Sequence, residues 1–193
     1  MRTKFALFSL GLLAVTGLLG GGMMDPAMAQ TPAARVALSA KPSLSSYTLG
    51  QPVTINITLT NQSGAALGLS SLIDGNIAGV TLTRDGGAVN VRQTTIDYEE
   101  SLDTLLGQSL RTVANGGTLS TSWESSNDSL LGGQSLQAVG FKAADHEVTL
   151  FDLSFPGTYK LSFYYQYPAP TAGLPGTVYT GRTNTVTVSF KIN

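Results

Sequence analysis

Val148-Thr-Leu-Phe-Asp-Leu-Ser-Phe-Pro-Gly-Thr-Tyr-Lys-Leu161 reads as a strand, a corner and the start of a second strand. Val148 and Leu150 alternate with Thr149, as the two-residue period of a half-buried strand requires. Leu153 is an apolar plug, and Pro156-Gly157 breaks the run. Beyond it Tyr159, Leu161, Phe163, Tyr165 and Tyr167 alternate with Lys160, Ser162, Tyr164 and Gln166. One face of that second strand is apolar and the other wet.

The same period recurs outward in both directions. Val53, Ile55, Ile57 and Leu59 alternate with Thr54, Asn56, Thr58 and Thr60 before the turn residues Asn61-Gln-Ser-Gly64, and Val186, Val188, Phe190 and Ile192 repeat it at the C-terminus. Segments this rich in β-branched and aromatic residues predict an all-β class. Asp85-Gly86 suits a two-residue hairpin that pairs Arg84 with Gly87, Leu82 with Val89 and Val80 with Val91. A three-residue loop at Asn115-Gly116-Gly117 would set Val113 against Leu119 and Ser109 against Trp123. Between them Leu102, Leu105 and Leu106 have helical spacing, with Gly107 as a stop, so one short helix is expected in the middle of the chain.

The corner at Leu153 to Tyr159 resembles the E to F corner of an immunoglobulin-like or fibronectin-type sandwich, in which a tyrosine near the start of strand F turns its hydroxyl onto the backbone just upstream. Tyr159 matches that tyrosine, and Leu161 stands where antibody domains carry a cysteine. Leu44 to Val53, leading into Asn61-Gln-Ser-Gly64, is similar to the beginning of many bacterial secreted immunoglobulin-like domains. The likeness covers the two ends of the chain and hardly touches Gln93 to Ala143. It extends, more faintly, to the small β-sandwich proteinase inhibitors of bacilli. The resemblance implies a single Greek-key β-sandwich of two antiparallel sheets, with no functional residues to carry over.

The first residues read as an address. Arg2 and Lys4 precede the apolar run Phe5 to Leu19, and Ala27-Met-Ala29 supplies a small-x-small site, so a signal peptide over 1–29 and a domain over 30–193 are expected. The destination is then secreted or periplasmic, with no membrane association after cleavage. A chain of the remaining length should bury about 70% of its unfolded surface and needs no staples.

Composition narrows the chemistry. The 193 residues include no cysteine and one histidine, and 12% are charged for a net charge of −1. Thiolate nucleophiles and disulfides are excluded, and a nucleic-acid partner is not expected without a basic footprint. Any histidine-based triad would need His146, which strand alternation turns away from its neighbours Asp145 and Glu147. The sequence contains no G-x-S-x-G elbow, phosphate loop or H-E-x-x-H motif. Asp97, Glu99, Glu100 and Asp103 are the candidate metal ligands, calcium being the ion that several carboxylates suit. A helix N-terminus accounts for the same acids, so no cofactor is expected.

These exclusions point to a non-catalytic exported binding or structural module of the cell envelope. The alternatives are a proteinase inhibitor or an enzyme using carboxylates alone, such as a glycosidase, whose two carboxyl groups would stand about 5 to 9 Å apart. Asn61 to Gly79 and Pro168 to Arg182 would be the long loops at one end of the sandwich. Tyr167, Leu174, Tyr179 and Arg182 are the candidate ligand contacts, because such side chains supply binding energy at interfaces. The expected partner is a protein or an envelope polysaccharide.

Overall fold

The computed structural model describes residues 35–96, 98, 100–141 and 146–193. The signal-peptide reading therefore lies outside the described residues. Ile55, Ile57 and Leu59 are buried on one face of β3 (Thr54–Asn61), as their alternation requires. That strand pairs with β1 (Val36–Pro42) and β9 (Thr118–Glu124), setting Leu59 opposite Leu38 and Ile55 opposite Trp123. At its end Asn61 is fully buried. Its amide nitrogen donates to the carbonyls of Ala65 (2.7 Å) and Val113 (2.8 Å), and its side-chain oxygen accepts from the Ser63 N–H (3.0 Å). This asparagine heads an Asn-x-Ser triplet, yet its nitrogen is enclosed and committed to the turn.

A five-stranded sheet is built around β13 (Gly157–Tyr165), which pairs with β14 (Val186–Ile192) and β5 (Ile77–Arg84). Two-residue strands flank it: β2 (Ser46–Tyr47), parallel to the end of β14, and β6 (Gly87–Ala88), beside the end of β5. The expected corner is present. Tyr159 is buried, stacks on Phe190 at 5.4 Å, and donates its hydroxyl to the Phe155 carbonyl at 2.6 Å. Tyr159→Phe keeps the ring and deletes only that bond. It should cost about 1 kcal/mol, a fall of roughly 2 to 4 °C in melting temperature. An unchanged melting curve would show that the corner bond adds no net stability.

The Asp85-Gly86 turn has positive φ at both residues (50° and 84°) and pairs Arg84 with Gly87, as the two-residue reading requires. The expected register holds through Thr83 and Ala88, but the ladder ends there. The chain leaves the sheet after Ala88, so Leu82 and Val80 gain no partner on that side among the described residues, and Val91 pairs with Phe151 in another sheet. Val89 and Val91 are apolar enough for either destination, and the Asp152 N–H donating to the Asn90 carbonyl (3.0 Å) fixes the change of sheet.

That other sheet is four-stranded, in the order β10 (Ser126–Asp128), β11 (Gly133–Val139), β12 (His146–Asp152), β7 (Val91–Ile96). A single residue, Ser125, separates β9 from β10. Its N–H donates to the Val53 carbonyl, while its hydroxyl accepts from the Val53 N–H and donates to Gln134 Oε1, each at 2.8 Å. All three large sheets send side chains into one core, where Trp123 meets Phe163 edge-on at 5.5 Å. The described strands thus form several antiparallel ladders rather than two simple sheets.

The second expected hairpin does not form. β8 (Leu110–Val113) pairs with β4 (Leu67–Ser70), placing Val113 opposite Leu67, while Trp123 faces Ile55. The turn at Asn115-Gly116-Gly117 is bonded to the end of β3 instead: the Gly116 N–H donates to the Asn61 carbonyl (2.7 Å), and the Asn61 N–H to the Gly117 carbonyl (3.0 Å). The expected helix is α1 (Leu102–Gln108), capped by the Ser101 hydroxyl on the Thr104 N–H. Gly107 lies inside it, and Ser109 ends it. Leu102 and Leu106 pack with Val139, Val148 and Leu150 in a second core, which covers one face of the four-stranded sheet.

Candidate functional site

A groove of about 470 Å³ lies between β5 and the four-stranded sheet. That volume falls in the range of small-molecule and side-chain pockets. β12 contributes Glu147, Thr149 and Phe151, every second residue, so its face forms the floor. β5 contributes four consecutive residues, Ile77 to Val80, so it borders the groove with its edge. Ala138 and Val91 extend the floor to either side of β12, while Gly75, Gly140 and Phe141 close one end. Among the described residues that line the groove, Glu147 is the single ionisable one.

The local sequence explains the wall. β5 carries one residue more than β13 between their paired segments, so Gly79 and Val80 form a bulge at the register shift by Phe163. Gly79 has φ +61°, a conformation that favours glycine. The Tyr164 ring lies over it, and the Arg182 guanidinium sits 3.8 Å from the centre of that ring. Tyr164 is thereby a packing residue of the sheet's outer face.

The residues singled out from sequence are placed elsewhere. Tyr167 is 2% exposed and belongs to the second core, where Leu174 packs beside it. Tyr179 is 5% exposed in the main core and donates its hydroxyl to the Arg182 carbonyl at 3.0 Å. Burial holds both phenols above the usual tyrosine value, with Asp103 adding to the effect at Tyr167. Arg182 alone of the four is exposed. The two long loops are bonded to each other instead of standing free: the Gly68 N–H donates to the Thr177 carbonyl (2.8 Å), and the Tyr179 N–H to the Gly68 carbonyl (3.1 Å). Buried backbone demands partners, and these loops supply each other's.

Of the acidic residues, Asp97 and Glu99 lie outside the described residues. Glu100 accepts a hydrogen bond from Gln108 Nε2 at 3.0 Å, and Asp103 occupies the first turn of α1, where the helix dipole favours an acid. Among the described residues no three potential ligands cluster.

His146 opens β12 opposite Ile96, with the Tyr98 ring edge-on at 5.6 Å and Phe141 at 6.3 Å. Its Nδ1 is buried with no hydrogen-bond partner among the described residues. Glu147 lines the groove and His146 packs beside Tyr98, as strand alternation demands; Asp145 lies outside the described residues. Tyr98 donates to Asp74 Oδ2 at 2.8 Å, and burial, reinforced by that carboxylate, raises its pKa.

No family model matches the sequence, and no curated protein matches it. Among solved structures the chain is similar to AvmM, described as catalysing macrocyclization in alchivemycin A biosynthesis. The identity is 10%, the alignment covers 82% of this chain and 89% of that one, and the TM-score is 0.34. A likeness that low carries no argument about fold or activity.

Proposed function

We propose that this chain is an exported, non-catalytic binding module built as an immunoglobulin-like sandwich, and that its ligand occupies the groove between β5 and the four-stranded sheet. The supporting observation is the lining: a strand edge and a floor of Ala138, Thr149, Phe151 and Val91, with one carboxylate. Such a surface offers shape, apolar area and backbone polarity, the features that orient a bound ligand. A glycosidase-like site would call for a second carboxylate across the groove, and among the described residues Glu147 is the one carboxylate in its lining. A proteinase-inhibitor reading needs a free presenting loop, and Thr177 to Tyr179 is bonded to Gly68. The tyrosine corner at Tyr159 favours the sandwich.

Binding of the neutral apolar fluorophore N-phenyl-1-naphthylamine tests the groove. One saturable site is expected, weakened about tenfold or more by Thr149→Arg, which puts a charge on the floor. Trp123 offers a second signal, since its indole N–H donates to the Gln137 carbonyl (2.8 Å) next to Ala138. Equal binding by the folded variant and the parent would place the ligand site elsewhere.

A further inference from the structure

We infer that the groove takes an extended peptide, which adds as a strand to the outer edge of β5. This rests on the groove being the ligand site and names the class of ligand. β6 pairs only with Thr83 and Arg84, through Ala88 and Gly87. From Ala78 to Leu82 no described strand pairs with β5 on that side. A straight continuation of the hairpin would have put Val89 to Val91 there, but the chain crosses to β12 instead. Of this unpaired edge, Ala78, Gly79 and Val80 line the groove.

A row of unpaired backbone groups is a template for another strand, and sheets commonly bind peptides in this way. The other borders differ. On β11 the carbonyls of Gln137 and Val139 already accept from the Trp123 indole and the Gly75 N–H (3.0 Å). The outer edge of β7 carries Arg92 and Gln93, the polar side chains that discourage pairing. On β5 the neighbouring residues are Ala78, Gly79, Val80 and Thr81, uncharged and small.

The floor sets the side chains. A peptide beside β5 turns every second residue toward Thr149, Phe151, Val91 and Ala138, so small or β-branched apolar residues fit those positions. The lining holds no cation among the described residues, and its carboxylate stands at the Gly140 end. An uncharged central stretch suits the floor of Ala138, Thr149, Phe151 and Val91. The bulge at Gly79 interrupts the edge, so pairing runs from Leu82 to Val80, where the groove lining starts, and the peptide continues over the floor past the bulge.

The test uses the capped peptide Ser-Val-Thr-Val-Thr-Val and two analogues, each N-methylated at one alternate set of residues. Only one side of an added strand bonds to β5. One analogue should therefore bind about tenfold or more weakly, the other within about twofold of the parent. Amides of β5 should gain hydrogen-exchange protection, and Val91→Glu should weaken the peptide while the protein stays folded. Equal effects of the two methylation patterns would overturn strand addition. If the naphthylamine binds the groove and none of the peptides does, the inference fails while the binding module stands. If neither binds, both fail.

Discussion

Gly79→Ala is expected to lower the melting temperature by roughly 4 to 16 °C, from a loss of about 2 to 4 kcal/mol. Two costs add at this position. The backbone sits at φ +61°, where an L side chain costs about 1 to 2 kcal/mol. A new Cβ would also overlap the Tyr164 ring, whose Cδ1 would lie only 2.9 Å away. That ring cannot swing freely, because Arg182 stacks over it and bonds the Thr185 hydroxyl at 3.2 Å. Gly86→Ala separates the two costs, since Gly86 has φ +84° and nothing within 4 Å of an added Cβ. It should lose only the backbone part. Tyr164→Ala made together with Gly79→Ala should recover part of the difference, giving a non-additive cycle. If Gly79→Ala and Gly86→Ala melt alike, the ring does not constrain the bulge.

The strands that were plain in the sequence are those with one wet face. β3, β13 and β14 each set Thr, Ser or Lys against buried aliphatic or aromatic residues, and the two-residue period survives intact. β4 shows no such alternation, because Leu67, Gly68, Leu69 and Ser70 are all buried between β8 and the segment around Val178. β10, Ser-Asn-Asp, has no apolar residue to show. Turn chemistry marked the reversal at Asp85-Gly86 but could not say where the chain went afterwards. That choice rests on Asn90 and Asp152, which meet only in the fold.

The site was less legible for a related reason. Tyr167, Leu174 and Tyr179 sit among prolines and glycines, and local pattern does not separate a displayed aromatic from one that plugs a core. Here the loop folds back on β4 and buries both tyrosines. The groove's own signal was present but small. A lone glycine within Ile77-Ala-Gly-Val-Thr-Leu82 marks a bulge or a close approach. That it also marks the wall of a groove depends on β12, a strand far away in sequence.

Alkaline solution should unfold this protein in one cooperative step. Burial raises the pKa of Tyr165 and also those of Tyr98, Tyr159, Tyr167 and Tyr179. Tyr165 is 2% exposed, and its hydroxyl oxygen accepts the Ser70 N–H at 3.0 Å. Its folded form holds the proton more tightly than the unfolded chain does, for which the value is about 10. The stabilisation is therefore complete below pH of about 10 and is lost as pH rises toward the raised folded-state value. Tyr165 alone removes up to about 1.4 kcal/mol per pH unit over that window, and the other four act in the same direction. Tyrosinate absorbance and far-ultraviolet circular dichroism should then change together, the phenols ionising because the chain opens. Tyr165→Phe should shallow the pH dependence by about one proton. It should also lower stability at neutral pH by about 1 to 3 kcal/mol, since the Ser70 N–H loses its buried acceptor. Gradual ionisation of these tyrosines with the circular dichroism unchanged would mean that water already reaches their hydroxyls in the folded protein.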